Sequence, residues 1–175
     1  MNRAALLLAL GAALITPPVA ADKSDRDKPT QIEANKMSAD DARRLTIFEG
    51  SVVLTRGTIR LTADRIVVRQ DAEGYQISTA TGKPARFRQR QDPKPPATEG
   101  VWLEGEALRM EMDDRTGKIE LFDAARVTRG GDEVAGNYIL VDQRSEFFQV
   151  SSGKGEGGRV RATLQPKSPV LEEKK

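Results

Sequence analysis

The sequence predicts an all-β protein, folded as a sandwich or a roll. Short segments in which apolar and polar residues alternate recur along the chain, and turns that contain Gly or Pro separate them. Beyond residue 21, no helical periodicity is sustained over ten residues. The clearest segment, 48–68, contains three such runs. A weaker copy lies downstream at a sequence offset of 73, where Gly57, Ile66 and Val68 correspond to Gly130, Ile139 and Val141. These observations predict a β-meander that occurs twice.

The N-terminal segment 1–21 has the composition of a secretory signal peptide. A basic start at Arg3 precedes an apolar run over residues 4–15, and two prolines and a small-residue stretch follow. The apolar run is too short to span a membrane comfortably. We expect cleavage after Ala21 or, as the second choice, after Ala20. The alternative is that the segment remains as an N-terminal anchor.

The rest of the chain is predicted to form one domain with polar ends. Residues 22–29 (DKSDRDKP) are charged and end in proline, so we expect a mobile arm. The ordered domain is expected over 30–166, followed by a disordered tail at 167–175. Residues 91–100, with three prolines in ten positions, divide the domain into halves of similar length, and 151–158 (SSGKGEGG) predict a flexible loop.

The repeat extends upstream of the clearest segment. Residues before the first turn match the second half at the same offset of 73, while three residues after that turn match better at an offset of 74. A one-residue slip of this kind is expected from a changed turn length or a bulge. The matches at 73 include Glu33, Met37 and Asp40 with Glu106, Met110 and Asp113, and those at 74 are Leu45, Ile47 and Phe48 with Ile119, Leu121 and Phe122.

The residue inventory argues against an enzyme. The chain has no His and no Cys, which removes the commonest general base and the commonest metal ligands. The paired carboxylates at 40–41 and 113–114 lie beside turn signals, where Asp is favoured for its backbone hydrogen bonding. We therefore expect no catalytic residue, no metal and no cofactor. Without Arg3 the chain has 27 basic and 26 acidic residues, and an export signal argues against a nucleic-acid partner.

Two strand faces are candidates for binding. Arg86, Arg88 and Arg90 form a basic stripe that either contacts phosphate groups or is an ordinary solvated face. A set of apolar residues is predicted to share the inner face of the sheet, either as a packed core or as a trough for acyl chains, and alternation does not decide between the two. The apolar set is Ile32, Met37, Phe48, Ile59, Leu61, Phe87, Leu108, Met110, Met112, Ile119 and Leu121.

Three runs resemble a known family. They are FEGSV at 48–52, TRGTIRLTADRIVV at 55–68 and GKPARF at 82–87. The chain resembles the OstA-like (LptA) family of periplasmic lipopolysaccharide-transport proteins from residue 30 to about residue 166. The resemblance implies a single β-jellyroll of about sixteen short antiparallel strands, slightly opened into a V.

The resemblance also implies a function and partners. The apolar set above would form a groove for the lipid A acyl chains, and Arg86 or Arg88 would meet the phosphorylated part. Exposed edges would join LptC-like and LptD-like proteins, and further copies head to tail, by strand addition between the inner and outer membranes. Two alternatives remain, a scaffold of the same fold with a closed interior and an anchored LptC-like component. The edge candidates are Thr30, Gln31 and Ile32 at one end and Val160, Ala162 and Leu164 at the other.

Overall fold

The computed structural model describes residues 25–93, 99–145, 147–153 and 158–166. The predicted signal peptide with its cleavage site, the first residues of the predicted arm and the predicted tail at 167–175 lie outside these ranges. Within them, no helix is long and apolar enough to cross a membrane. The one helical element in this part of the chain is a short 3-10 turn at Asp25–Asp27.

Ten antiparallel strands form one continuous sheet. The order is β1-β3-β4-β5-β6-β7-β8-β10, with β2 also paired to β3 and β9 also paired to β8. One edge of the sheet therefore consists of β1 and β2, and the other consists of β9 and β10. The strands are β1 Gln31–Glu33, β2 Lys36–Asp40, β3 Leu45–Arg56, β4 Ile59–Gln70, β5 Gln76–Arg90, β6 Trp102–Asp113, β7 Lys118–Arg129, β8 Asp132–Asp142, β9 Phe147–Ser151 and β10 Arg161–Thr163.

The pairing of the six long strands, β3 to β8, is interrupted at one common level. The register shifts between residues 49 and 52 of β3, and equivalent shifts follow at 62–65, 81–85, 106–109 and 122–125 of the next strands. Bulges bend a strand and increase its twist, so a row of them curls the sheet along a line. If each long strand is counted as two short ones, the total is compatible with the predicted sixteen.

Contacts between strands that are not neighbours show that the sheet curls into a roll. Arg56 at the end of β3 forms an ion pair with Asp114, which follows β6, at 3.2 Å. The Gln143 side chain after β8 donates a hydrogen bond to Gln89 of β5 at 2.5 Å. In both cases, two strands of the sheet separate the partners. The predicted all-β jellyroll class is confirmed.

The inner face of the roll is apolar. Alternate side chains of each strand point to it, because neighbouring residues of a strand face opposite sides. Among the described residues no polar or charged side chain is buried. The central core consists of Val52, Leu54, Ile59, Leu61, Ala63, Ile66, Ala80, Ala85, Phe87, Leu103, Ala107, Met110, Ile119, Leu121, Ala125, Val127, Ile139 and Val141.

The internal repeat is visible in the strand pairing, with one correction. Leu45 pairs with Arg69, and Lys118 pairs with Asp142, so the offset in this hairpin is 73 and the predicted slip to 74 is wrong. Both halves carry the same two-residue irregularity with positive φ, at residues 50–51 and 123–124, so no length difference separates them. The match at 74 paired residues of opposite faces.

Candidate functional site

A cavity of about 1040 Å³ opens at the end of the roll where β3 turns into β4 and β7 turns into β8. Inner-face side chains of β4, β6, β7 and β8 form its wall, and β9 adds two aromatic rings. Charged and amide groups from the turns surround the opening. The apolar lining consists of Ile59, Leu103, Val127, Val134, Val141, Phe147, Phe148 and Leu164.

Phe148 is a large apolar group of the cavity lining that remains exposed. It pairs with the inner-face residue Val141, yet its side chain is 39% exposed because β9 lies at the sheet edge. Its neighbour Phe147 also lines the cavity and is more exposed. Large apolar side chains that stay exposed on one concave surface are typical of a binding site for an apolar partner.

The turn at Asp25–Asp27 lies at the cavity opening. The backbone N–H and the hydroxyl of Thr58 each donate a hydrogen bond to the Asp25 carboxylate, both at 2.7 Å. Gln89 donates a third at 3.1 Å, and the same Gln89 accepts the bond from Gln143 described above. A chain of polar contacts therefore borders the apolar interior on this side.

A fixed negative charge lies on another part of the rim. The backbone N–H groups of Ser145 and Arg144 donate to Asp142, at 3.2 and 2.9 Å, and these bonds lower the pKa of the carboxyl. Asp142 lines the cavity opening and directly follows the apolar residue Val141. The rim thus presents an ionised group to a ligand while the wall below it is apolar.

The two sheet edges expose backbone groups at opposite ends of the strand order. Gln31 and Ile32 lie in β1, and Ala162 lies in β10. Thr30 precedes β1, and Val160 and Leu164 lie on either side of β10, where both apolar side chains are exposed. Edge strands of this kind can accept a further strand from a partner. The predicted edge residues therefore lie where the prediction needs them, and their role as interfaces stays a prediction.

Comparison with known proteins identifies the family of the chain. The family model described as "LptA/(LptD N-terminal domain) LPS transport protein" matches residues 31–147, which is more than half of the chain. The chain belongs to this family. The predicted recognition is confirmed, and the family is one of transport components, in agreement with the prediction that the chain is not an enzyme.

Curated relatives of the LptA family match over most of their length. The lipopolysaccharide export system protein LptH of Pseudomonas aeruginosa is 27% identical over 176 residues, covering 100% of this chain and 97% of LptH. LptA of Escherichia coli K12 is 30% identical over 169 residues, covering 94% of this chain and 87% of LptA. A crystal structure of LptH, described as the periplasmic component of a lipopolysaccharide transport device, matches with a TM-score of 0.72 and 26% identity, over 82% of this chain and 99% of LptH.

Nine of the eleven predicted groove residues of this LptA-family chain fall into three groups. Ile59 lines the cavity. Leu61, Phe87, Met110, Ile119 and Leu121 are buried in the central core, and Ile32, Phe48 and Met112 pack partly buried against it. Nine of the eleven therefore lie in the cavity wall, in the core or against the core. Contact of any of them with lipid stays a prediction.

Leu108 does not lie on the predicted inner face. Its side chain is 46% exposed, whereas Ala107 and Met110 are buried. The register irregularity of β6 falls between Glu106 and Arg109, so the side-chain alternation is reset there. Simple alternation from Met110 and Met112 back to Leu108 therefore assigned Leu108 to the wrong face.

Met37 has the predicted inward register, but its side chain is largely exposed. It pairs with Phe48 as Met110, its counterpart in the second half, pairs with Leu121. Met110 is 1% exposed and Met37 is 61% exposed. The difference follows from position, because β6 has a strand on each side and β2 pairs only with β3.

Arg86 and Arg88 lie on the outer face of the sheet. They line a shallow groove of about 460 Å³ that shares no lining residue with the cavity. Arg86 forms an ion pair with Glu106 at 3.4 Å, and the Arg88 guanidinium lies 4.8 Å from the ring centroid of Trp102. The structure does not bring Arg86 and Arg88 together with the cavity, whereas Arg90, the third arginine of the predicted stripe, lines it. Phosphate contact stays a prediction.

Sequence reasoning missed most of the cavity wall. Leu103, Val127, Val134 and Val141 line it, together with the adjacent Phe147 and Phe148 of β9. The repeat supplied a usable signal for two of them, because Val134 and Val141 are the counterparts of Leu61 and Val68 at the offset of 73. No alternation marks the two adjacent phenylalanines, so their place in the cavity lining depends on the tertiary fold.

Tyr138 lies in an aromatic cluster on the outer face of the second half of the sheet, and its phenol has a shifted pKa. The rings of Phe122 and Tyr138 lie 5.2 Å apart, and the Tyr138 hydroxyl donates to Glu120 at 2.6 Å. Burial, together with this bond to a carboxylate, raises the pKa of Tyr138 to about 12. The equivalent positions of the first half carry Glu49 and Arg65, which form an ion pair at 3.3 Å.

We expect Tyr138→Phe to remove a phenol titration with a midpoint of about 12, measured by ultraviolet absorbance against pH. Because the folded-state pKa lies above the usual value of about 10 for tyrosine, the unfolded phenol loses its proton first as pH rises. Tyr138 therefore contributes stability that is present below pH 10 and is lost toward pH 12. Tyr138→Phe should lose less stability over that window, and an equal loss in both proteins would contradict this assignment.

Proposed function

We propose that the chain is a non-enzymatic periplasmic carrier of lipopolysaccharide, exported by a cleaved signal peptide. It shelters the acyl chains of lipid A in the roll and links the inner and outer membranes. Its edges join LptC-like and LptD-like proteins and further copies of itself. The observation that carries the proposal is an open-edged β-roll whose apolar inner face ends in a cavity of about 1040 Å³. The lipopolysaccharide export proteins to which it is similar support it.

The acyl-chain argument follows from the cost of exposing hydrocarbon to water. Each methylene group transferred from water to an apolar site contributes about 0.8 kcal/mol, so a chain of ten or more carbons needs a sheltered path. The cavity offers Phe147 and Phe148 at its edge and an aliphatic wall behind them. Because Asp142 and the polar chain around Asp25 lie at the opening, a ligand with a polar head would place that head outward.

The bridging argument follows from the sheet topology. The two edges of the sheet differ, because β1 and β2 form one and β9 and β10 form the other. Joining unlike edges is a heterologous contact, which generates an open filament when the rotation between copies does not close. A filament of this kind suits a connection between two membranes.

The competing candidate is a scaffold of the same fold whose interior binds nothing. The tightly packed centre of the roll favours it, since Leu61, Met110 and Leu121 are almost completely buried. Acyl chains could enter that centre only if the two sides of the roll moved apart. The cavity end, by contrast, is accessible without such movement.

Photo-crosslinking with lipopolysaccharide separates the two candidates. A photoreactive residue at Phe148, which is 39% exposed on the cavity side, is expected to form an adduct. The matched control is Leu108, which is 46% exposed on the outer face and should form none. Equal labelling at the two positions, or none at Phe148, would favour the scaffold.

The mass of the exported chain tests cleavage, because loss of residues 1–21 or 1–20 is expected.

A further inference from the structure

The two halves of the sheet repeat each other pair by pair. The eight residue pairs that join β1 and β2 to β3 recur between β6 and β7, with both numbers of each pair raised by 73. The ten pairs between β3 and β4 recur at the same offset between β7 and β8. In the repeat, β6 is therefore the counterpart of β1 and β2 together, although β6 is central and they form an edge.

The counterpart of β5 is split between β9 and β10. Arg86 of β5 pairs with Thr62, and Arg161 of β10 pairs with Ala135, the counterpart of Thr62 in the repeat. In the same way, Ala80 of β5 pairs with Ile66, while Val150 of β9 pairs with Ile139. Arg161 thus takes the place of Arg86, and Val150 takes the place of Ala80.

These relations single out the pairing of β5 with β6, which is called the seam below. Inside the chain, β5 and β6 pair through eleven residue pairs in the middle of the sheet. Their counterparts, β9 with β10 and β1 with β2, lie at opposite edges, and within the described residues neither edge pairs with a further strand on its outer side. We propose that the joint between two copies of the chain repeats the β5–β6 seam, with β9 and β10 of one copy antiparallel to β1 and β2 of the next. This inference rests on the proposed head-to-tail association and adds its register.

The register places an exposed methionine against an apolar partner. Met110 pairs with Ala80 across the internal seam, so the joint places Met37 of one copy opposite Val150 of the next. Met37 is 61% exposed in the single chain, whereas Met110 in the same register is 1% exposed. A docked strand would cover Met37 as β5 covers Met110. Burying this side chain supplies an apolar contribution to the joint.

The register also carries over an ion pair. Across the internal seam Arg86 pairs with Glu106, and their side chains lie 3.4 Å apart. The counterparts are Arg161 and Glu33, which the joint places directly opposite each other. Both are exposed residues at the edges of a single chain. Opposite charges facing each other across two strands stabilise the pairing, and like charges destabilise it.

Engineered cysteines test the register directly, because the chain has no cysteine of its own. Opposite residues of antiparallel strands have Cα atoms about 4.5 to 5.5 Å apart, within the range of a disulfide. A full-length chain carrying Met37→Cys and Val150→Cys is expected to form a ladder of covalent oligomers under mild oxidation. In the control, Met37→Cys is combined with Gln149→Cys. Because a shift of one residue moves a side chain to the other face, this control should form few covalent oligomers.

Charge reversal gives an independent readout of the same joint. Glu33→Arg or Arg161→Glu alone should weaken self-association about tenfold, measured by sedimentation, because two like charges then face each other. The chain that carries both reversals should associate within about threefold of the wild type. Asp64→Arg, on an exposed position of the internal strand β4, is the control and should leave association unchanged.

The possible failures are distinguishable. Association of the wild type without a cross-link between positions 37 and 150, or with a stronger cross-link between 37 and 149, overturns the proposed seam and leaves head-to-tail transport standing. Failure of the double reversal to restore association also overturns the seam. A wild-type chain that stays monomeric at all concentrations overturns both the seam and the self-association on which it rests.

Discussion

Replacing Met110 with alanine should lower the free energy of unfolding by about 2–5 kcal/mol, the range for truncating a fully buried methionine. Met110 is among the largest fully buried side chains of the core and lies between Ala80 of β5 and Leu121 of β7. Truncating this side chain at Cβ would leave a void that the two flanking strands cannot close without breaking their pairing. A loss of this size is a large part of the total stability of a typical domain.

Met37→Ala is the control that the repeat provides. Met37 has the same residue type and the same register in the first half, but its side chain is largely exposed at the edge. Its substitution should change stability by less than about 0.5 kcal/mol. Both variants are measured by urea unfolding at a concentration where the chain is monomeric. Similar losses at the two positions would mean that the edge methionine is covered in the single chain.

The sequence was sufficient for the class of fold and for most of the inner face. Alternation assigned Leu61, Ile119 and Leu121 to that face, and the structure places all three in the central core. The repeat at an offset of 73 was visible as matching letters and is visible again as matching strand pairs. Both signals are local or periodic, so they survive without knowledge of the tertiary fold.

Alternation failed where the backbone departs from regular pleating. The irregularity between Glu106 and Arg109 turns Leu108 outward, and no residue type at these positions announces it. The equivalent irregularity in β7 has Asp123 and Ala124 at positive φ, a conformation that Ala in particular rarely adopts. Alternation alone therefore cannot place bulges of this kind, which bend the strands and curl the sheet.

Burial at Met37 and the position of the cavity depend on the neighbours of a strand. Pattern reasoning gives the face to which Met37 points but not whether another strand lies beside it. Phe148 illustrates the same limit, because its ring reaches the cavity only through the pairing of β9 with β8 at the sheet edge. Neither fact is encoded in the residues that surround these positions in the sequence.

Phe148→Asp should weaken the binding of lipopolysaccharide roughly 10- to 100-fold. Fully burying a phenylalanine side chain contributes about 1.5–3 kcal/mol, so covering the part of Phe148 that is still exposed contributes about 1 kcal/mol, and about 1.4 kcal/mol corresponds to a tenfold change in affinity. Phe148 is 39% exposed in the single chain, so an acyl chain in the cavity would cover the remaining surface of the ring. A carboxylate at this position would also have to lose water when hydrocarbon enters, which adds to the loss of affinity.

Leu108→Asp supplies the comparison for this effect. Leu108 has a similar exposed fraction and lies on the outer face, so its substitution should leave the affinity for lipopolysaccharide within about twofold of the wild type. Both substitutions replace a partly exposed apolar residue, and unfolding curves of the two variants establish that the fold is retained. Because only one of them changes the cavity, unequal affinities would assign acyl-chain binding to the open end of the roll. Equal affinities with an intact fold would instead place the lipid elsewhere, and the packed centre of the roll would then have to open.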